Sequence, residues 1–226
     1  MTRESRNADL LVFDLDGTLV DSQRDLTESV NATRAWMGLG SLPAEIVARY
    51  VGNGAPVLVQ RALPDASEED WSRALKYFLD YYREHMLDST RLYPGVREAL
   101  DQLHAAGIPL AVLTNKPIRF TLQMLEGLRL DLHFFRVYGG NSFPEKKPDP
   151  TGLNALIAEA RAGRDRTVMV GDSAVDVQTA RNAGTRACGV RWGLQPETFV
   201  ASPPDFLIDD MRELVPGRAW PTPTTL

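Results

Sequence analysis

Apolar positions along this chain follow two rhythms. Short continuous apolar runs stand at 9–13 (DLLVF), 108–113 (IPLAVL), 135–140 (FRVYGG), 166–171 (RTVMVG), 185–190 (TRACGV) and 204–208 (PDFLI). Their length and β-branched content predict buried strands. Between them, VREALDQLHAAG (96–107), RFTLQMLEGL (119–128), TGLNALIAEAR (151–161) and VDVQTARNAG (175–184) repeat apolar residues at helical spacing, and several end in glycine. Strands alternating with helices of this length predict an α/β fold, a parallel sheet with helices on both faces. Residues 24–90 break the alternation. RDLTESVNATRAWMG, PAEIVARYV, APVLVQRAL and SEEDWSRALKYFLDYYREHML all read as helix, with no strand between them. The α/β pattern restarts at Tyr93–Gly95, so a helical insertion is expected between the first and second strands, with links near 20–24 and 89–95.

Composition narrows the classes. A chain of 226 residues buries roughly 70–75% of its unfolded surface, enough for one good core or two modest ones. Hydrophobic content of 43% and charged content of 24% are those of a globular protein. A net charge of −5 gives no support to binding nucleic acid or an anionic membrane, which need a basic face. The single cysteine, Cys188, excludes an internal disulfide and reads as a core thiol. MTRESRNADLL lacks the apolar stretch of a signal peptide, no window has the ~18 apolar residues of a membrane span, and the expected location is cytoplasmic. The proline-rich end AWPTPTTL is expected to fray.

The first strand ends in acids. In DLLVFDLDGTLVDS (9–22), Asp14 and Asp16 stand one residue apart, followed by Gly17 and Thr18. Residues i and i+2 of an extended strand point to one side, so both carboxylates are expected to face one pocket. A lone acid pair reads as well as a capped turn beside a solvated side chain. The other strand ends argue for more. Thr114-Asn115-Lys116 follow the second α/β strand, Lys146-Lys147-Pro148 the third and a loop, and Gly171-Asp172-Ser173 the fourth, with Asp176 beyond. In a parallel sheet these ends share one edge, and ligands bind there.

In this order, DLDGT, TN, KP and GDSAVD resemble the four motifs of the haloacid dehalogenase-like hydrolases, over nearly the whole chain. The resemblance implies a Rossmann-like core (1–20 and 93–226) carrying a mobile α-helical cap (21–92) above the active site. It also implies a Mg²⁺-dependent phosphatase. Phosphate monoesters hydrolyse so slowly that some 20 kcal/mol or more must come off the barrier, and an aspartyl-phosphate intermediate supplies part of it. Asp14 would be the nucleophile. Asp14, the Asp16 carbonyl and Asp172 would hold Mg²⁺, a hard ion preferring oxygen. Asp176 would steady the metal's waters or Lys147, with Ser173, Gly17 and Thr18 in support. Thr114 and the Asn115 amide would grip phosphoryl oxygens, and Lys147, directly before proline where its rival Lys146 is not, would neutralise their charge. Asp16 would protonate the leaving alcohol and then deprotonate the attacking water. Taken singly, Thr114-Asn115 could be a helix cap, Lys147 a solvated loop lysine and Asp176 a first-turn acid favoured by the helix dipole. His85, His104 and His133 show no ligand spacing, and the aromatic and methionine content of 71–86 reads as cap core.

A phospho-accepting signalling receiver also gathers acids, a Thr and a Lys around Mg²⁺, but it lacks a helical insertion and the second acid. A dehalogenase is disfavoured because DxDGT with its second acid is the phosphotransfer version. A phosphomutase sharing the motifs and the cap stays open. The loop Tyr50-Val51-Gly52-Asn53-Gly54, the RAL after it, TNKP and GVRWG resemble phosphoglycolate phosphatases, though the loop also reads as an ordinary helix–helix turn. That resemblance implies 2-phosphoglycolate as substrate. Its carboxylate would meet backbone N–H groups of Gly52, Asn53 and Gly54 on cap closure, with Lys116 or Arg61 as charge partner. Sugar or amino-sugar phosphates, nucleotides and pyrophosphate remain alternatives, and a monomer or homodimer is expected.

Overall fold

A computed structural model describes residues 8–217. The MTRESRN start and the AWPTPTTL end lie outside the described residues. All six apolar runs become strands of one sheet: β1 (Leu10–Phe13), β4 (Leu110–Leu113), β5 (Arg136–Tyr138), β6 (Thr167–Gly171), β7 (Arg186–Val190) and β8 (Phe206–Ile208). They lie in the order β5-β4-β1-β6-β7-β8, and every pairing is parallel. β1 therefore sits inside the sheet, with Val12 opposite Ala111 on one neighbour and Met169 on the other.

The period of two divides the core. Leu10 and Val12 pack with Leu113, Leu153, Met169 and Val177, beneath α7 (Thr151–Ala160) and α8 (Ala174–Ala183). Leu11 and Phe13 face the opposite layer, formed by α5 (Val96–Ala105) and α6 (Ile118–Gly127) through Val96, Leu100, Phe120 and Met124. A strand buried on both faces cannot alternate with polar residues, so its sequence reads as a continuous apolar run. Cys188 lies in this interior, and burial pushes its thiol up.

Residues 23–85 form four helices: α1 (Gln23–Trp36), α2 (Ala44–Tyr50), α3 (Ala55–Ala62) and α4 (Glu68–His85). α4 starts where Ser67 accepts the Asp70 N–H at 3.2 Å, and Glu68, Glu69 and Asp70 complement the helix dipole in its first turn. α1 packs against α4 and α2, and α3 against α4. Leu26, Val30, Leu58, Phe78 and Tyr82 from these helices join the same apolar cluster as Leu11, Phe13 and Phe120, so the helices sit down on the sheet layer. At the two links the chain forms a short antiparallel ribbon, β2 (Val20–Asp21) with β3 (Arg91–Leu92). Two residues carry no periodicity, so this ribbon has no sequence signature. The buried Asp25 ties the links together: its carboxylate accepts the Ser89 N–H at 3.0 Å, the Thr90 N–H at 2.8 Å and the Thr90 hydroxyl at 2.7 Å. No helix among the described residues is long and apolar enough to cross a membrane.

Candidate active site

The carboxyl edge of the sheet gathers the polar strand ends. Asp14 continues the β1 ladder, its N–H bonded to the Val170 carbonyl at 2.9 Å. The chain then turns tightly, with the Gly17 N–H on the Val20 carbonyl at 2.9 Å. Gly17 is obligatory here. Its φ is +80°, and a Cβ would stand 2.1 Å from Asp172 Oδ2. Asp14 and Asp16 line one cavity, as their spacing predicts, but address different partners.

Asp14 belongs to a buried ion cluster. Lys147 Nζ lies 2.9 Å from Asp14 Oδ1 and 2.6 Å from Asp176 Oδ1. The other Asp176 oxygen accepts the Ser173 N–H at 3.2 Å and the Ser173 hydroxyl at 2.8 Å, so the acid caps α8 and holds the lysine at once. Lys147 is itself held by Asn115, whose Oδ1 accepts the Lys147 N–H at 3.0 Å and whose Nδ2 donates to the Lys147 carbonyl at 3.0 Å. Lys146 is exposed and reaches alongside Gly54. Asp172, at the end of β6, accepts the Leu194 N–H at 2.7 Å. Thr114 is buried at the end of β4. The Thr18 hydroxyl is buried without a hydrogen-bond partner among the described residues, while the Thr18 carbonyl accepts the Trp192 indole N–H at 3.2 Å.

Charge in this cluster does not balance. Oxygens of Asp14, Asp172 and Asp176 lie within 4.8 Å of one another, with one ammonium among them. Burial first, and then repulsion from Asp176, push Asp14 up to about 6 against the pull of Lys147. Burial and the charges of Asp176 and Asp14 push Asp172 well above the carboxylate range. Burial works against the Lys147 ammonium, but Asp14 and Asp176 outweigh it and hold the lysine above its usual value. Three buried hard oxygen donors short of positive charge fit a divalent cation. Asp176 is committed to Lys147 and Ser173, which leaves Asp14 and Asp172 as the carboxylates facing such an ion.

Asp16 belongs to a second cluster. It accepts the Ser22 hydroxyl at 2.6 Å, and Lys116 Nζ reaches both its oxygens at 3.0 Å. Lys116 also donates to the Tyr82 hydroxyl at 2.6 Å, linking the end of β4 to α4. The remaining wall on this side is apolar, lined by Leu26, Leu58, Phe78, Pro117 and Phe120, around a cavity of about 50 Å³.

The glycine loop covers the cavity. Gly52 and Gly54 have φ of +101° and +86° and line it, while Asn53 does not. Asn115 Nδ2 donates to the Gly52 carbonyl at 2.8 Å, so one amide fastens both the loop and Lys147. Gln195, in the loop after β7, donates to the Ala48 carbonyl at 2.9 Å and the Val51 carbonyl at 2.8 Å, at the end of α2. Arg61 is exposed and bonds the Tyr50 carbonyl at 3.1 Å, outside the cavity. Ser22, Tyr82 and Gln195 are contributions that the motifs do not announce. Ser22 closes the DLLVFDLDGTLVDS stretch, and Gln195 follows GVRWG by two residues. Tyr82 hides within a helical pattern that reads as core.

Residues 11–190 match the family model described as haloacid dehalogenase-like hydrolase. A phosphoglycolate phosphatase of Vibrio parahaemolyticus is 40% identical over 214 residues, spanning 91% of this chain and 94% of the relative. One of Pseudomonas syringae pv. tomato is 40% identical over 215 residues, 92% of this chain and 79% of the relative. The crystal structure of a predicted phosphoglycolate phosphatase from Haemophilus somnus superimposes with a TM-score of 0.88 at 34% identity, covering 92% and 96% of the two chains. With the strand-end acids, the buried lysine and the helical insertion all in one edge of a parallel sheet, the chain belongs to the haloacid dehalogenase-like hydrolases.

Proposed function

We propose that the protein is a Mg²⁺-dependent phosphatase that hydrolyses 2-phosphoglycolate to glycolate and phosphate. The observation that carries this reading is the pairing of two unlike acids in one cavity: Asp14 beside Lys147 in a cation-deficient cluster, and Asp16 beside Lys116 under the helices. Asp14 and Asp172, with the Asp16 carbonyl, would hold Mg²⁺. When bound, it would supply positive charge that lets an anionic nucleophile approach an anionic ester.

Asp14 attacks phosphorus in line, forming its acyl-phosphate bond as the ester oxygen leaves. Asp16 gives that oxygen a proton, then takes one from the water that attacks the acyl-phosphate and releases phosphate, restoring Asp14. Lys147, held by Asp176, and Thr114 with the Asn115 main-chain N–H stabilise the charge spread over the phosphoryl oxygens. The Asn115 side chain has another task, since its amide is spent on Gly52 and Lys147.

We read residues 21–92 as a cap over a core of residues 1–20 and 93–226, with the β2–β3 ribbon as the crossing point. The small, largely apolar cavity and the single lysine beside Asp16 favour a short anionic leaving group over a sugar. We read the protein as a cytoplasmic enzyme acting on small molecules, and the net charge of −5 gives no support to nucleic acid or an anionic membrane as its target. A phosphate-release screen across phosphate monoesters, with Mg²⁺ and with EDTA, tests the whole reading. 2-Phosphoglycolate should give the highest kcat/KM, and EDTA should abolish turnover. A hexose or amino-sugar phosphate with a tenfold higher kcat/KM would overturn the substrate and leave the phosphatase chemistry standing.

A further inference from the structure

Tyr82 lines the cavity with a hydroxyl whose hydrogen no described residue accepts. Its hydroxyl oxygen accepts from Lys116 Nζ at 2.6 Å, so the phenolic hydrogen points elsewhere. The side chain is only 2% exposed. A buried donor is costly to leave unpaired, so a donor lining a cavity takes a ligand group or an ordered water as its acceptor. The ring cannot swing away to find solvent: it stacks on Phe78 at 5.7 Å and meets Phe120 edge-on at 5.5 Å. Burial, and then the nearby charges of Asp16 and Asp25, keep the phenol protonated.

The position of this donor is chemically specific. Lys116 bridges Asp16 and Tyr82. Asp16 marks where the leaving oxygen sits, if the phosphatase reading above holds, and this inference rests on it. In 2-phosphoglycolate the carboxylate carbon lies two bonds beyond that oxygen, which brings the carboxylate level with Lys116 and Tyr82. The other residues on this wall, Leu26, Leu58, Phe78 and Phe120, offer no donor. A sugar hydroxyl there would accept these hydrogen bonds only as a neutral group, whereas a carboxylate meets an ammonium and a phenol side by side with a full charge, and such bonds are roughly twice as strong.

We propose that Tyr82 is a specificity-determining residue, donating its phenolic hydrogen to the substrate's carboxylate beside Lys116. Selectivity then depends on the helices being seated, because α4 brings the donor and β4 brings the cation.

The test compares kcat/KM for 2-phosphoglycolate with that for ethyl phosphate, which has the same two-carbon length and no carboxylate. In Tyr82→Phe the ratio between the two should fall by about 10–100-fold, the worth of a hydrogen bond to a charged group. Phe keeps the ring packing, and circular dichroism checks the fold. Tyr82→Leu repeats the measurement without the ring, and the same fall is expected. A wild type that prefers the acid, with either folded variant keeping that preference in full, overturns the role of Tyr82 and spares the substrate reading. A wild type indifferent to the carboxylate overturns both.

Discussion

Asp176 grips the Lys147 ammonium at 2.6 Å while the same ammonium stands 2.9 Å from Asp14. In the mechanism proposed above, Asp176 would thus aim the lysine at the phosphoryl group bound to Asp14 without itself taking part in bond making. Asp176→Asn replaces one acceptor oxygen with an amide that must face either an ammonium or the Ser173 donors. The expected result is a kcat lower by roughly 10–100-fold, the usual cost of losing an orienting partner, with about 1–3 kcal/mol lost from stability. Steady-state kinetics and urea unfolding measure the two effects. Full activity would show that Lys147 needs no second anchor.

The two acids of the first motif should fail differently. Asp14→Asn removes the proposed nucleophile and should leave a folded protein without turnover of any phosphate ester. Asp16→Asn keeps the proposed nucleophile but loses the proposed proton donor, so turnover should fall at least ~10²-fold. It should fall least for esters whose leaving groups need no proton, such as 4-nitrophenyl phosphate. An equal loss for activated and unactivated esters would assign Asp16 to something other than proton transfer.

The charge imbalance makes a pH prediction. Asp14 is raised from its ordinary 3.8 to about 6, so between about pH 4 and pH 6 the metal-free native state holds a proton that the unfolded chain has released. Its stabilising contribution is complete below pH ~4 and is lost as pH rises through about 6, amounting to about 3 kcal/mol. Asp172 shifts in the same direction and adds to the loss. In EDTA, Tm should therefore decline from pH 5 to pH 7, and Asp14→Asn should flatten that decline. Mg²⁺ should raise Tm more at pH 7 than at pH 5, because protons and the ion compete for the same oxygens. Ca²⁺ should restore activity poorly, since it favours longer and looser contacts. A metal-free Tm that rises between pH 5 and pH 7 would contradict the imbalance.

What the sequence makes legible divides along physical lines. Asp14, Thr114 and Asp172 are readable because each ends a run of apolar residues that can only be a buried strand, and parallel strands deliver their ends to one edge. Lys147 is placed by the proline after it, not by any periodicity. Tyr82 and Gln195 are illegible for a different reason. The Tyr82 hydroxyl matters only because Lys116, 34 residues away, approaches it, and helical spacing reports just that its ring is buried. Gln195 acts across 144 and 147 residues on bare carbonyls, which have no sequence signature at all. Arg61 shows the converse: a charge on the right helix that the fold turns outward.

Gln195 yields its own prediction. Its amide caps the end of α2 with two hydrogen bonds, each worth about 0.5–1.5 kcal/mol. Gln195→Ala should shift the helices toward an open arrangement, raising KM roughly tenfold with a much smaller change in kcat. Amide hydrogen exchange across residues 44–62 should quicken in parallel. Unaltered KM and exchange would mean the contacts are incidental to seating the helices.

The glycine loop supplies the last prediction, and its two glycines should not respond alike. Gly54 has φ +86°, and a Cβ there would come within 3.0 Å of the Asn115 carbonyl oxygen and 3.3 Å of Lys146 Nζ. Valine at 54 is therefore strained in its backbone, by about 1–3 kcal/mol, and also collides with the strand end that carries the second motif. Gly52 has φ +101° with no atom within 4 Å of a Cβ, so valine there meets only the backbone strain. The Gly52 carbonyl still has to reach Asn115 Nδ2 at 2.8 Å. Gly54→Val should raise KM for 2-phosphoglycolate by at least tenfold and Gly52→Val by less, while 4-nitrophenyl phosphate, which engages mainly the sheet edge, loses less with both. Equal losses on the two substrates would mean the loop serves the phosphoryl group itself, because a loop that reads only the leaving group cannot penalise an ester whose leaving group it never touches.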